Sequence, residues 1–183
     1  MTVAEVMLWG KRIGAVSMSD ESPYVYFRYD DAFITSGIQL SPMMMPLSSQ
    51  IFQFRNLPLK TFKGLPGLLS DSLPDKYGNQ IINAWLISQN RTLDSFNIIE
   101  RLCYVGKRGM GALEFVPNKQ GDFNQVEEIE IANLIKLSNE ILNQKEGVAV
   151  KEADELKDIL KVGTSAGGAR AKAIIAYNEI TGV

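Results

Sequence analysis

Histidine is absent from this 183-residue sequence, and Cys103 is its only cysteine. A chain without histidine cannot form a Ser-His-Asp triad, a Cys-His dyad or a histidine-ligated zinc site. One cysteine allows neither an intrachain disulfide nor a CxxC metal site, which is typical of proteins in a reducing compartment. No apolar run reaches the roughly 18 residues of a membrane span and no signal peptide is recognisable, so we expect a cytoplasmic protein without membrane contact.

The sequence also lacks an excess of either charge. Its 19 lysines and arginines stand against 21 aspartates and glutamates, which gives a net charge of −2. Because basic runs are missing, we expect no direct DNA binding. A chain of this length can bury roughly 70% of its unfolded surface without disulfides, as one domain or as a domain and part of another.

The first part of the chain has the pattern of β-structure. Alternating apolar residues predict strands over 4–9 and 13–18, joined by a hairpin turn at 10–12, and an aromatic strand over 24–29. Asp30 and Asp31 offer an N-cap for a short turn that ends at Gly37. We interpret the methionine-rich residues 42–46 as an extended edge segment; a methionine-rich binding surface is the alternative.

From Leu65 the apolar spacing becomes helical. It predicts a short helix over 65–71, a second over 79–89 and a third that Asp94 caps, before the glycines of 106–111 lead into a strand over 112–116. Cys103 lies on the apolar face of the third helix, which favours a buried position over a reactive thiol. Asp71 and Asp75 stand at helix edges, where capping is the better interpretation than a catalytic carboxylate pair. The predicted core residues of 1–116 are Trp9, Phe27, Leu68, Trp85, Ile98, Leu102 and Phe115.

The last third of the chain ends in a glycine-rich loop. A linker over 118–124 and helices over 126–143 and 151–160 lead to residues 162–172, Val-Gly-Thr-Ser-Ala-Gly-Gly-Ala-Arg-Ala-Lys. Two adjacent glycines without Cβ atoms let backbone N–H groups crowd onto a bound anion, and Lys172 adds a positive charge. The loop lacks the Lys-Ser/Thr of a P-loop and the following helix of a dinucleotide fingerprint, whereas a kinase-type loop between two strands fits. A flexible turn is the alternative.

Three segments in this order resemble the amino-terminal part of HipA, the serine/threonine kinase toxin of bacterial toxin–antitoxin modules. They are residues 64–75, Gly-Leu-Pro-Gly-Leu-Leu-Ser-Asp-Ser-Leu-Pro-Asp; residues 106–115, Gly-Lys-Arg-Gly-Met-Gly-Ala-Leu-Glu-Phe; and residues 165–172. The resemblance implies an α+β fold with a β-rich N-terminal subdomain and packed helices over 1–117. The helices, first strand and glycine-rich loop of a kinase-like N-lobe would follow over 125–183.

The resemblance also implies a function for the loop. It implies that the loop contacts ATP phosphates, in a complete kinase that uses ATP and Mg²⁺, and that Ser165 is the serine whose autophosphorylation turns the kinase off. Thr164 is the alternative acceptor. The implied phosphate-loop residues are Ser165, Ala166, Gly167, Gly168, Ala169 and Lys172.

The same resemblance implies the partners. These are a HipB-like helix-turn-helix antitoxin, the remainder of the kinase or a separate kinase subunit, and an aminoacyl-tRNA synthetase as substrate. HipA kinases carry their catalytic and metal-binding aspartates beyond this loop, so we assign no catalytic residue to this chain and expect it to be inactive alone. We interpret it as a kinase fragment; a stand-alone regulatory subunit and an unrelated protein-binding α+β module are the alternatives.

Overall fold

The computed structural model describes residues 1–88, 90–107, 109 and 111–117, with the side chains of residues 77, 84, 85 and 88 excepted. The described residues fall into two compact units, one formed by residues 1–73 and 96–117 and the other by residues 74–95. The elements in chain order are β1 (Thr2–Leu8), β2 (Lys11–Met18), β3 (Tyr26–Tyr29), α1 (Asp31–Ile34), β4 (Ile51–Phe52), α2 (Leu59–Phe62), α3 (Gly67–Ser70), α4 (Lys76–Ser88), a 3₁₀ turn (Leu93–Ser95), α5 (Ile98–Val105) and β5 (Leu113–Pro117).

The first unit is built on a five-stranded antiparallel sheet with the order β4-β3-β2-β1-β5. Short helices accompany this antiparallel sheet in the same unit. The predicted α+β class is therefore confirmed for the described residues. β1 lies between β2 and β5 because β5 returns to pair with it, Val6 lying opposite Phe115. This pairing joins residues that are far apart in the sequence into one sheet.

The β1–β2 hairpin turns at Trp9-Gly10, and the prediction that residues 10–12 form the turn is wrong. Leu8 already pairs with Lys11, and the φ angles of Trp9 and Gly10 are 49° and 74°. Two positive φ angles in a two-residue loop define a type I′ turn, which matches the twist of the strands. Trp9 thus lies outside the last strand pair and is 77% exposed, so its predicted place in the core is also wrong.

The core of this unit lies on one face of the sheet, because alternate residues of a strand point to the same side. Phe27 and Tyr29 of β3 have ring centroids 4.9 Å apart in an edge-to-face arrangement. Phe33 of α1 and Phe52 of β4 each lie with ring centroids 5.9 Å from that of Tyr29. The Tyr29 hydroxyl donates a 2.9 Å hydrogen bond to the Met45 carbonyl oxygen, so its polar atom is satisfied within the apolar cluster.

The other predicted core residues fit this arrangement. Phe27 and Leu102 are fully buried and Phe115 is nearly so, which confirms those three predictions. Leu68 and Ile98 are partly buried and pack against the same core. The prediction for Trp85 concerns a side chain outside those that the structure describes.

The methionine-rich residues 42–46 form a tight turn, so their interpretation as an extended edge segment is wrong. Ser41 and Met45 form an isolated antiparallel bridge that closes the turn. Met45 is buried, whereas Met43 and Met44 at the tip are 91% and 53% exposed. The hydrogen bond from Tyr29 to the carbonyl of Met45 fixes the inner end of the turn on the core.

Asn97 rather than Asp94 is the N-cap of helix α5, so the predicted cap is wrong. The Asn97 side-chain oxygen accepts hydrogen bonds from the backbone N–H groups of Ile99 and Glu100, each at 3.0 Å. The Glu100 carboxylate accepts one from the Asn97 N–H at 2.7 Å, which completes a capping box. Asp94 instead lies in the preceding 3₁₀ turn. The Asn97 amide also donates to the Thr2 hydroxyl at 2.7 Å and so joins the helix start to β1.

The described part of the second unit consists of α4 and the 3₁₀ turn. The Asp75 carboxylate accepts a 2.8 Å hydrogen bond from the Gly78 N–H, so it caps the start of α4. Three apolar side chains of α4 at helical spacing are buried, as the periodicity predicts: Ile81, Ile82 and Leu86. In the described ranges, no helix combines the length and the apolar character of a membrane span.

Candidate functional site

The glycine-rich loop and its neighbours lie outside the described residues. This holds for Ser165, Ala166, Gly167, Gly168, Ala169 and Lys172, and for the predicted linker and helices that precede them. Their roles stay predictions. The described residues do contain the other two segments that carry the resemblance, apart from residues 108 and 110, and their geometry indicates what those segments do.

The segment over 64–75 brings two loops into close backbone contact. Gly64 has φ +81°, and its carbonyl oxygen accepts a 3.1 Å hydrogen bond from the Val25 N–H. A Cβ atom on Gly64 would overlap the Pro23 carbonyl oxygen and lie 3.1 Å from the Cα of Tyr24. The following Leu65 is fully buried. This segment therefore needs glycine for its conformation and its packing, which is a structural requirement rather than a catalytic one.

The segment over 106–115 serves a similar purpose at the end of α5. Gly106 ends the helix with φ +52°, and its N–H donates to the Leu102 carbonyl at 2.9 Å. Its own carbonyl accepts a 3.3 Å hydrogen bond from the Phe115 N–H, which aligns β5 beside the helix end. Gly64 and Gly106 thus specify the fold of the first unit. The chemistry that the resemblance implies rests on the third segment alone.

Asp71 and Asp75 of the first segment lie at the ends of different helices and do not act as a carboxylate pair. Asp75 caps α4 through its side chain, which confirms the capping interpretation for this residue. Asp71 is the C-cap of α3, and its backbone N–H donates to the Gly67 carbonyl at 3.2 Å. The described residues contain no group of three or more histidine, cysteine, aspartate or glutamate side chains that could hold a metal ion.

Cys103 lies on α5 in an environment that suppresses thiol chemistry. It is partly buried against the core of the first unit. Burial, with a smaller contribution from the negative charge of Glu100, raises the pKa of the Cys103 thiol to about 12. A thiol with this pKa is almost entirely protonated at neutral pH and is a poor nucleophile. The predicted structural position of Cys103 therefore agrees with its surroundings.

Ion pairs occupy the sheet face opposite the core. Arg12 contacts the Glu5 carboxylate at 3.0 Å and the Asp30 carboxylate at 3.4 Å. Arg12 is exposed and the two carboxylates are partly exposed, so these pairs stabilise the fold only weakly. Arg12 faces two carboxylates, so the three side chains together carry a small net negative charge and form no basic patch that would attract an anionic ligand.

The edge of the sheet that β4 forms differs in composition from this charged face. We define the β4 edge segment as residues 47–54, Leu-Ser-Ser-Gln-Ile-Phe-Gln-Phe, which contains β4. Ile51 is 63% exposed although it pairs with Arg28 in the sheet, whereas Phe52 is buried. Arg28 itself contacts Asp31 at 2.7 Å and donates to the Ser49 carbonyl at 3.3 Å. The strand itself is only two residues long, so Ile51 is the exposed apolar side chain that this short edge strand presents.

The β4 edge segment was not among the residues that the sequence patterns predicted to be functional. Its signal in the sequence is a run of eight residues without a charge, proline or glycine, between Pro46 and Arg55. Such a run has the composition of a β-strand that can pair with other strands. The position at the edge depends on strand order, which the run itself does not encode.

The comparisons with known proteins concern the first unit. A protein-family model described as the HipA N-terminal domain matches residues 4–116, which runs from β1 to β5 and includes the first two of the three resembling segments. No curated protein and no solved structure matches the chain.

Proposed function

This chain belongs to the HipA family, and from that premise we propose that it is the N-terminal part of a protein serine/threonine kinase of a bacterial toxin–antitoxin module. One observation carries the proposal: the matched domain over 4–116 is followed by a glycine-rich loop that ends in Lys172. The matched residues account for the N-terminal subdomain. In this proposal the residues from 125 onward begin the kinase core.

The loop over 165–172 would bind the phosphates of ATP. The backbone N–H groups from Ser165 to Ala169 would donate to phosphate oxygens, since Gly167 and Gly168 leave room for a close approach. Lys172 would add a point charge to the same anion. ATP supplies the phosphoryl group and Mg²⁺ neutralises its charge, in a reaction that depends mainly on positioning and electrostatic stabilisation.

Ser165 would act as the regulatory switch of that loop. A phosphoserine carries about −1.5 to −2 charges at neutral pH. In a loop that holds the anionic γ-phosphate, this charge repels nucleotide and drives the loop out of its binding conformation. The neighbouring Thr164 carries a hydroxyl but is one residue further from the two glycines. Phosphorylation of Ser165 therefore ends activity in this proposal.

The proposed partners follow from the same family premise. They are a HipB-like helix-turn-helix antitoxin, the remainder of the kinase, and an aminoacyl-tRNA synthetase as the phosphorylated substrate. In this proposal the catalytic and metal-binding aspartates, and most of the residues that select the substrate, belong to the part of the kinase that follows the loop.

A stand-alone regulatory subunit is the second candidate. One observation favours it: the described residues of the first unit have a hydrophobic core of their own, from Ala4 to Phe115. Such a unit can fold as an independent module and bind a separate kinase subunit. The two candidates differ in whether the catalytic residues belong to the same polypeptide.

The test uses protein expressed from the complete gene, incubated with ATP and Mg²⁺ and analysed by intact-mass and phosphosite mass spectrometry. We expect one phosphate on Ser165, and we expect Ser165→Ala to stay active while the control Thr164→Ala still inactivates itself. Residues 1–183 alone should transfer no phosphate and bind ATP weakly. Phosphate on Thr164 alone, self-inactivation of Ser165→Ala, or micromolar ATP binding by residues 1–183 would contradict the proposal.

A further inference from the structure

We propose that Met43 and Met44 form a reversible oxidation site, at which a peroxide converts their thioethers to sulfoxides and makes an apolar surface polar without unfolding the chain. The site belongs to the loop between α1 and β4, and the proposal does not depend on kinase activity. It rests on the exposure of the two side chains, on the contacts that hold the turn closed and on the apolar surface that the loop presents.

The first feature is the different exposure of three consecutive methionines. Met43 and Met44 are 91% and 53% exposed, whereas Met45 is 1% exposed. A dissolved peroxide has to reach the sulfur atom, so the reactivity of a methionine follows its exposure. The three residues have the same side-chain chemistry and differ only in where the fold places them. We therefore expect the folded chain to react first at Met43, then at Met44 and last at Met45.

The second feature is that hydrogen bonds of the backbone hold the turn closed. The Met45 N–H donates to the Ser41 carbonyl oxygen at 2.8 Å, and the Met45 carbonyl oxygen accepts the 2.9 Å hydrogen bond from the Tyr29 hydroxyl. Neither bond involves the sulfur atom of Met43 or Met44. Both exposed thioethers can therefore gain an oxygen while the turn stays closed and anchored on the core.

The third feature is the apolar surface of the loop. Ile38 precedes the turn and is 48% exposed, so three exposed apolar side chains belong to one loop. Methionine contributes a flexible, polarizable side chain, which suits contacts with apolar surfaces of varied shape. A sulfoxide is polar, so oxidation weakens such contacts. The oxidation of Met43 and Met44 therefore removes most of the apolar character of this loop and leaves the buried Met45 in place.

The reaction takes a peroxide as its oxidant. The thioether sulfur attacks one oxygen of hydrogen peroxide, the O–O bond breaks, and the sulfur–oxygen bond of the sulfoxide forms. The sulfur loses two electrons, and the second oxygen of the peroxide leaves as water. Methionine sulfoxide reductases reverse the change: two thiols are oxidised to a disulfide, and the sulfoxide oxygen leaves as water. The exposure of both side chains gives these enzymes access to the sulfoxides.

The first test follows the oxidation of the full chain by hydrogen peroxide, with fragment-ion mass spectrometry to assign each added oxygen. We expect Met43 to react at least about tenfold faster than Met45, with Met44 between them. The same reaction in urea is the control, because the unfolded chain exposes all three side chains and should oxidise them at equal rates. Equal rates in the folded chain, or the same order of rates in urea, would overturn the proposal.

A second test measures the change in the surface. Retention on a phenyl hydrophobic-interaction column should fall when the wild type is oxidised, and methionine sulfoxide reductases with a thiol should restore it. The matched control is the double variant Met43→Leu/Met44→Leu, which stays apolar and should lose most of the retention shift although it keeps Met1, which is 80% exposed. Circular dichroism should give the same melting temperature for the oxidised and the untreated wild type.

Three results of this second test would contradict the proposal. The double variant could keep the full retention shift, which would place the responsible oxidation elsewhere in the chain. The reductases could leave the shift unchanged, which would show that the site is not reversible. The melting temperature could fall as Met43 and Met44 gain oxygen, which would show that their thioethers support the fold.

Discussion

Replacing Gly64 by alanine tests the interpretation that residues 64–75 serve the fold. Gly64 has φ +81°, and a Cβ atom there would overlap the Pro23 carbonyl oxygen. Gly37 is a matched control, because its φ is +72° and a Cβ atom would have no neighbour within 4 Å. Both variants impose the left-handed conformation on alanine, and only Gly64→Ala adds the steric conflict.

The magnitude follows from these two terms. A left-handed conformation costs a non-glycine residue roughly 1–2 kcal/mol, which the reduced freedom of the unfolded chain partly offsets. Making room for the Cβ atom of Gly64→Ala requires a backbone shift that costs about 1–3 kcal/mol. The shift also strains the 3.1 Å hydrogen bond from Val25 to the Gly64 carbonyl, which contributes about 1 kcal/mol. We expect Gly37→Ala to lose about 1 kcal/mol of stability and Gly64→Ala to lose about 3–5 kcal/mol.

Urea unfolding followed by far-ultraviolet circular dichroism measures both losses. This signal does not depend on Trp9, which is already 77% exposed in the folded chain and whose fluorescence reports little on unfolding. A loss of 3–5 kcal/mol is a large part of the roughly 5–15 kcal/mol of a typical domain, so Gly64→Ala should be marginally folded. Equal losses in the two variants would refute the close approach at Gly64 as the reason for its glycine.

Two further predictions concern single side chains. Burial, followed by the charge of Glu100, raises the pKa of Cys103 from 9.0 to about 12, so the unfolded chain releases the thiol proton first and stability falls as the pH rises from about 9 toward 12. Wild type should lose about 1.4 kcal/mol more than Cys103→Ala between pH 8 and pH 10 in urea unfolding, and identical slopes would contradict this. Trp9→Asn should keep or raise stability by a few tenths of a kcal/mol, since asparagine adopts the φ of 49° more readily and Trp9 buries little surface. A loss above about 1 kcal/mol in the same assay would mean that Trp9 makes contacts the structure does not account for.

Local periodicity accounts for much of the first unit. The alternation of apolar residues along residues 4–9 and 13–18 predicts two strands, and the buried set Ala4, Val6 and Leu8 follows it. The spacing of Ile99 and Leu102 likewise predicts the buried face of α5. These predictions succeed because side-chain direction repeats every two residues in a strand and every 3.6 in a helix, whatever lies around them.

Turn and cap positions are harder to assign because several adjacent residues offer similar chemistry. Asp94 and Asn97 can both cap a helix, and Asn97 does so because Glu100 completes a capping box and Thr2 accepts a hydrogen bond from its amide. The hairpin turn lies one residue earlier than predicted because the pairing of Leu8 with Lys11 leaves Trp9 inside the loop. Such choices depend on contacts between strands and helices that the local sequence does not state.

Most strands and helices of the first unit, and the end of α5 at Gly106, follow from the amino-acid sequence alone, since backbone conformation and apolar spacing are local properties. The resemblance to HipA also comes from the sequence alone. The family model of the HipA N-terminal domain, which matches residues 4–116, confirms it for that part of the chain. Tertiary structure was needed to show that β4 lies at the sheet edge with Ile51 exposed and that Met43 stands at the tip of a turn. An edge or an exposed position is defined by which strands pair across the sheet, and pairing is a property of the whole chain.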